Sequence, residues 1–168
     1  HICVAMGASP SDSFIEIGEV RASKINKDIQ DFADGTKVVG VYPYEGPKGL
    51  VMLRKEPPVE LVEDVVSRCH SEGWKVVELG PPAPFNYPMR SINGTQDFRY
   101  SHILDFVASL KAVDCVITID CMAHHACAAI GQENCVVLWG GSSELSMFGY
   151  PSQTNLLSNS EFKCLRSC

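Results

Sequence analysis

The chain has 168 residues, 45% of them hydrophobic and 20% charged, with 14 basic against 20 acidic side chains and a formal charge of −6. That length suits one domain of ordinary size, and the acidic balance argues against the clustered basic face that nucleic-acid binding wants. No apolar run approaches the roughly 20 residues that span a bilayer, and the N-terminus lacks the basic-then-apolar order of a signal peptide.

Opening at His1 without an initiator Met suggests a processed, trimmed or excised chain. Residues 1–36 read as a leading segment or interdomain linker. HICVAMGASPSDSF suggests a short strand and a polar loop, and IEIGEVRASKINKDIQDFADG is partly helical and ends at Gly35. KVVGVY, residues 37–42, predicts a strand, followed by the Pro/Gly-bearing loop PYEGPKGLVMLRKE. Pro57-Pro58 opens a helix, since proline is tolerated in a first turn. Val59, Val62, Val65, Val66 and Cys69 then repeat at helical spacing until Gly73 stops them. WKVVEL, residues 74–79, predicts the next strand. GPPAPFNYPMRSINGTQDFRY follows as a long irregular connection, and SHILDFVASLK, residues 101–111, as an amphipathic helix.

The richest stretch is VDCVITIDCMAHHACAAIGQENCVVLWGG, residues 113–141. It predicts a strand over Cys115 to Ile119, an acid at its tip (Asp120), a small-residue helix over Met122 to Ile130, a stop at Gly131, and a strand over Cys135 to Trp139. CVITI and CVVLW lack polar alternation, as expected of parallel strands covered on both faces. Beyond Gly141 come a polar turn, a Phe148-Gly149-Tyr150-Pro151 loop, a weak strand over residues 155–157, and a Cys-rich end. Alternating strands and helices predict an α/β fold, a Rossmann-like three-layer parallel sheet whose strand order cannot be read from sequence. Ligands of such sheets bind outside the carboxyl ends of the strands. Asp120, the backbone amides of Met122, Ala123 and His124, and Gly140-Gly141 all fall at that edge.

Eight cysteines scattered through strands and helices fit a reduced, cytoplasmic chain better than a disulfide framework. The closing pair Cys164 and Cys168 has looser spacing than a structural zinc knuckle. Metal ligation there, helped by Cys121, Cys127 and the two His if the fold brings them near, is one reading. A disulfide is another, and free thiols are the default.

YPYEGPKG after the first strand, ELGPP after the second, ILDFVASLKAVDCVITID, HHACAAIG, CVVLWGGSS and the closing Cys pair together carry a resemblance. Over residues 37–168 the chain resembles the C-terminal domain of glycosyltransferase family 9, the ADP-heptose:lipopolysaccharide heptosyltransferases and their relatives. The resemblance implies one half of a GT-B enzyme, a nucleotide-sugar-binding domain taking an ADP-heptose-like donor. A separate N-terminal domain, missing from this chain, would carry acceptor contacts and the catalytic base, so no catalytic residue is expected here. The implied scheme requires no metal or other cofactor; the nucleotide-diphosphate sugar is a substrate.

Residue by residue, Asp120 matches the family acid facing the donor, and His125 matches the helix His. The amides from Met122 to His124 stand where a helix N-terminus favours a diphosphate. Lys48, with Arg54 and Lys55 as rivals, matches the phosphate-facing Lys, and Glu78 is a poor match for an adenosine or ribose contact. The family usually shows Asp-Thr-Gly, whereas here Cys121 replaces Thr and bulky Met122 replaces Gly.

Each residue also has a plainer reading. Asp120 is a helix cap, His125 a core or interface residue, His124 a solvated one, Lys48 a surface charge, and Gly140-Gly141 a tight turn. Two further functions stay open: a non-catalytic nucleotide-binding module or scaffold, and a Cys/His metal-binding domain.

Overall fold

A computed structural model describes residues 19–43, 56–80, 92–100, 102–139 and 149–157. In chain order the elements are α1 (Glu19–Ala33), β1 (Val38–Tyr42), α2 (Val59–Ser71), β2 (Lys75–Gly80), β3 (Gln96–Arg99), α3 (Ile103–Ala112), β4 (Cys115–Ile119), α4 (Met122–Ile130), β5 (Cys135–Trp139) and β6 (Thr154–Leu157). Six strands form one sheet in the order β3-β2-β1-β4-β5-β6, and every neighbouring pair is parallel. The expected open α/β sheet is therefore present.

Side-chain alternation along the strands feeds two apolar layers. Val38, Val77, Leu79, Val116, Val137 and Trp139 point to one face, where Ile25 and Ile29 of α1, Phe106 and Leu110 of α3, and Ala126 and Ile130 of α4 cover them. Val39, Val41 and Val76 point to the other face, under Val62, Val66 and Cys69 of α2. These three are among the five residues whose helical spacing marked α2 in the sequence. Helices on both faces leave β1 and most of β2 buried along their length.

The helix expected within the leading segment is α1, and its Ile25, Ile29 and Ala33 belong to the same core as β1. One region differs from the sequence reading. The connection after β2 contains a strand, β3, paired with β2 from Gln96 opposite Val77 to Arg99 opposite Gly80. QDFR sits at the sheet edge with its first two side chains exposed, so it carries no apolar run by which a strand would be recognised.

Helix ends follow local chemistry. His102 accepts the Leu104 N–H at 3.1 Å and caps α3. Gly131 closes α4 at φ 69° in the left-handed region, which glycine enters without steric cost. None of the helices among the described residues is long and apolar enough to cross a membrane.

Candidate functional site

The strand order reverses direction between β1 and β4, since the chain winds outward through β2 and β3 on one side and through β5 and β6 on the other. A crevice opens at the carboxyl ends of the strands flanking such a switch point, and it is where α/β sheets bind ligands. β1 ends at Tyr42 and β4 at Ile119, with Tyr42 in register with Thr118. Asp120 is therefore placed at the switch point itself, buried to 7% exposure.

A chain of hydrogen bonds fixes this corner. Thr118 donates its hydroxyl to the Tyr42 carbonyl at 2.9 Å, leaving its oxygen to accept from the Cys121 thiol at 3.3 Å. Burial raises the Cys121 pKa, which keeps the thiol protonated for that role. Cys121, not Asp120, is the N-cap of α4. Its sulfur accepts the His124 N–H, and its own N–H donates to His124 Nδ1 at 3.1 Å. This is a capping box in which Cys and His replace the usual Ser/Thr and Glu/Gln. The cysteine thus caps the helix through its sulfur, while Met122 stands outward, 47% exposed.

The capping bond also decides the fate of His124. Expected as a solvated residue, it is fully buried at 0% exposure. Bonding of Nδ1 back to the N-cap draws the ring over the helix start, where it meets Trp139 edge-on at 5.5 Å between centroids. Gln153 donates to the His124 carbonyl at 2.6 Å from the segment before β6. His125 remains exposed. Its Nδ1 lies 2.9 Å from the Tyr150 hydroxyl, the two rings are T-shaped, and its centroid is 3.8 Å from that of His124. Asp120, His124 and His125 together bring one potential ligand atom each within 4.8 Å of one another.

Tyr150 and Asn155 gave no signal beyond a Gly-Tyr-Pro loop and a weak strand. Asn155 accepts from the Trp139 indole N–H at 2.7 Å, and its amide donates to the carbonyls of Tyr150 and Gln153 at 3.2 and 3.0 Å. One side chain thus pins the Tyr150 turn to the end of β5. Buried Ala123 belongs to the α4 core face. Lys48, Arg54, Lys55, Gly140, Gly141, Cys164 and Cys168 lie outside the described residues.

Glu78, weighed as a ribose contact, is 1% exposed and engaged within the fold. One carboxylate oxygen accepts from the Ile92 N–H at 3.2 Å and from Thr95 at 3.3 Å, and the other lies 3.8 Å from Arg99. Arg99 in turn forks onto Asp97 at 2.8 and 2.5 Å, which holds the Asp97 pKa below its usual value.

No family model and no curated protein matches the chain. Among solved structures it is similar to a glycosyl transferase family 9 structure from Veillonella parvula DSM 2008, with a TM-score of 0.66 and 19% identity over 90% of this chain and 44% of that one. It is also similar to the E. coli ADP-heptose lps heptosyltransferase II, with a TM-score of 0.61 and 18% identity over 86% of this chain and 44% of that one. The chain therefore shares its fold with glycosyltransferase family 9 and heptosyltransferase structures while spanning less than half their length.

Proposed function

We propose that this chain is the donor-binding half of a heptosyltransferase-like glycosyltransferase, taking a nucleotide-diphosphate sugar of the ADP-heptose kind. It would transfer the sugar to a glycan or lipopolysaccharide acceptor together with an acceptor domain outside this sequence. The observation that carries the reading is the position of Asp120 and His125 at the carboxyl edge of the β1–β4 switch point, in a fold shared with such enzymes. Backbone N–H groups and the dipole at the start of α4 favour the diphosphate. Lys48 would add charge-assisted contact to the departing group as negative charge develops on it. Asp120, being anionic, is suited to sugar or ribose hydroxyls rather than to phosphate oxygens. His125, steadied through Nδ1 by Tyr150, offers Nε2 to the same ligand.

A non-catalytic nucleotide-binding module or scaffold is the second reading. Its scaffold form is favoured by Cys121 in the capping box, whose sulfur engages the His124 amide that a diphosphate would otherwise use.

Calorimetry with ADP, UDP and GDP sugars tests both. Saturable heat with one nucleotide class supports binding, and no heat with any of them removes it. Asp120→Asn should weaken sugar-nucleotide affinity about tenfold, the order of one lost charge-assisted hydrogen bond, with little change in thermal midpoint. A large drop in midpoint with unchanged affinity would assign Asp120 to stability alone.

A further inference from the structure

We propose that Asp120, His124 and His125 form a binding site for one divalent transition-metal ion of the zinc, cobalt or nickel kind. The site shares Asp120 and His125 with the donor-binding reading but does not depend on it, because the transfer scheme does not call for an ion.

The geometry supplies the first argument. A carboxylate and two imidazoles place one ligand atom each within 4.8 Å of one another. Ligands about 2.1 Å from a tetrahedral ion stand about 3.4 Å apart, so the widest separation need close by no more than about 1.4 Å to complete the set. Donor chemistry supplies the second. Two imidazoles and one carboxylate suit borderline cations, whereas magnesium and calcium prefer oxygen ligands. Three protein ligands also leave at least one position open, the pattern of a reactive rather than a structural centre. His125 is exposed and gives the ion its entry from solvent.

The surroundings supply the third argument. A metal-bound His usually engages its other ring nitrogen, which fixes its orientation. For His125 that partner is the Tyr150 hydroxyl at 2.9 Å, so ligation uses Nε2 with Nδ1–H donating to the phenol oxygen. Tyr150 is itself tied down through Asn155. The indole of Trp139 walls the His124 side. His124 reorganises on ligation: Nδ1 now accepts the Cys121 N–H, so ligation through Nε2 moves the ring proton to Nδ1 and gives up that capping bond. No proton leaves the ring in this step, and the capping hydrogen bond gives way to a metal–nitrogen bond. Beside a diphosphate, an ion at Asp120 would also turn a repelling carboxylate into a cationic anchor.

The test is a Co2+ titration of the tag-free chain under reducing conditions and without nucleotide. One equivalent should bind with visible d–d absorption and without a sulfur-to-metal charge-transfer band, and Zn2+ should displace it. His125→Ala, at an exposed position, should keep the thermal midpoint and lower Co2+ affinity at least tenfold. Asp120→Asn should do likewise. The Cys121 amide resonance should shift on metal addition and stay in place in His125→Ala. No saturable binding, a thiolate charge-transfer band, or unchanged affinity in His125→Ala would each overturn the site. Sugar-nucleotide calorimetry in EDTA reads donor binding alone, so failure of one proposal is distinguishable from failure of the other.

Discussion

Cys121 shows a thiol doing the work of a helix cap. A thiol is a weaker hydrogen-bond partner than a hydroxyl, yet here it donates to Thr118 and accepts from the start of α4. Cys121→Ala should lower unfolding free energy by about 1 kcal/mol, the usual worth of an N-cap, and Cys121→Thr should match or exceed the parent; urea unfolding reads both. Equal stability of all three would show that the helix start is held by the His124 bond alone. His124 was legible as a residue at the carboxyl edge of the sheet but not as a buried one. Burial follows from its bond to the N-cap and from Trp139, and a pair of adjacent histidines in a sequence says nothing of either.

At the scale of elements, strands and helices with strong local signals stand where their periodicity put them. The strand Cys115 to Ile119, the helix Met122 to Ile130 and the strand Cys135 to Trp139 carry the same bounds in sequence and structure. β3 was hidden because an exposed edge strand needs no apolar pattern. β6 was faint for the same reason, and what holds the turn before it is polar: Asn155 joins Trp139 to that turn. Asn155→Ala would leave a buried indole N–H without its acceptor, costing about 1–3 kcal/mol, and would loosen Tyr150 from His125. Chemical denaturation gives the first effect, and a change in the His125 ring resonances gives the second. An unchanged His125 spectrum would mean that Tyr150 is held from elsewhere.

For the whole molecule, the sheet gathers the carboxylates of β2 and β3 around Arg99. Arg99 hydrogen bonds hold Asp97 below its ordinary pKa. A carboxyl depressed in the folded state stabilises the protein above its unfolded pKa, about 4 for Asp, and that contribution is lost as pH falls through the folded value. Stability should therefore decline as the solution is acidified below about pH 4, and Asp97→Asn should flatten part of that decline. Urea unfolding across pH 3–6, in the range where carboxylates titrate, measures it. An equally steep decline in the variant would assign acid sensitivity to other carboxylates.

The sequence by itself determined the α/β class, most element positions and the acid at the tip of β4. All of these rest on apolar periodicity and on punctuation by proline and glycine, which act over a few residues. Only the tertiary structure decided that β1 and β4 are neighbours, which makes Asp120 a switch-point residue. It alone decided that Tyr150 reaches His125 across 25 positions, and that Asp120 and both histidines converge. Strand order and side-chain convergence are set by burial and hydrogen bonding between distant segments, and those interactions leave no periodic trace along the chain.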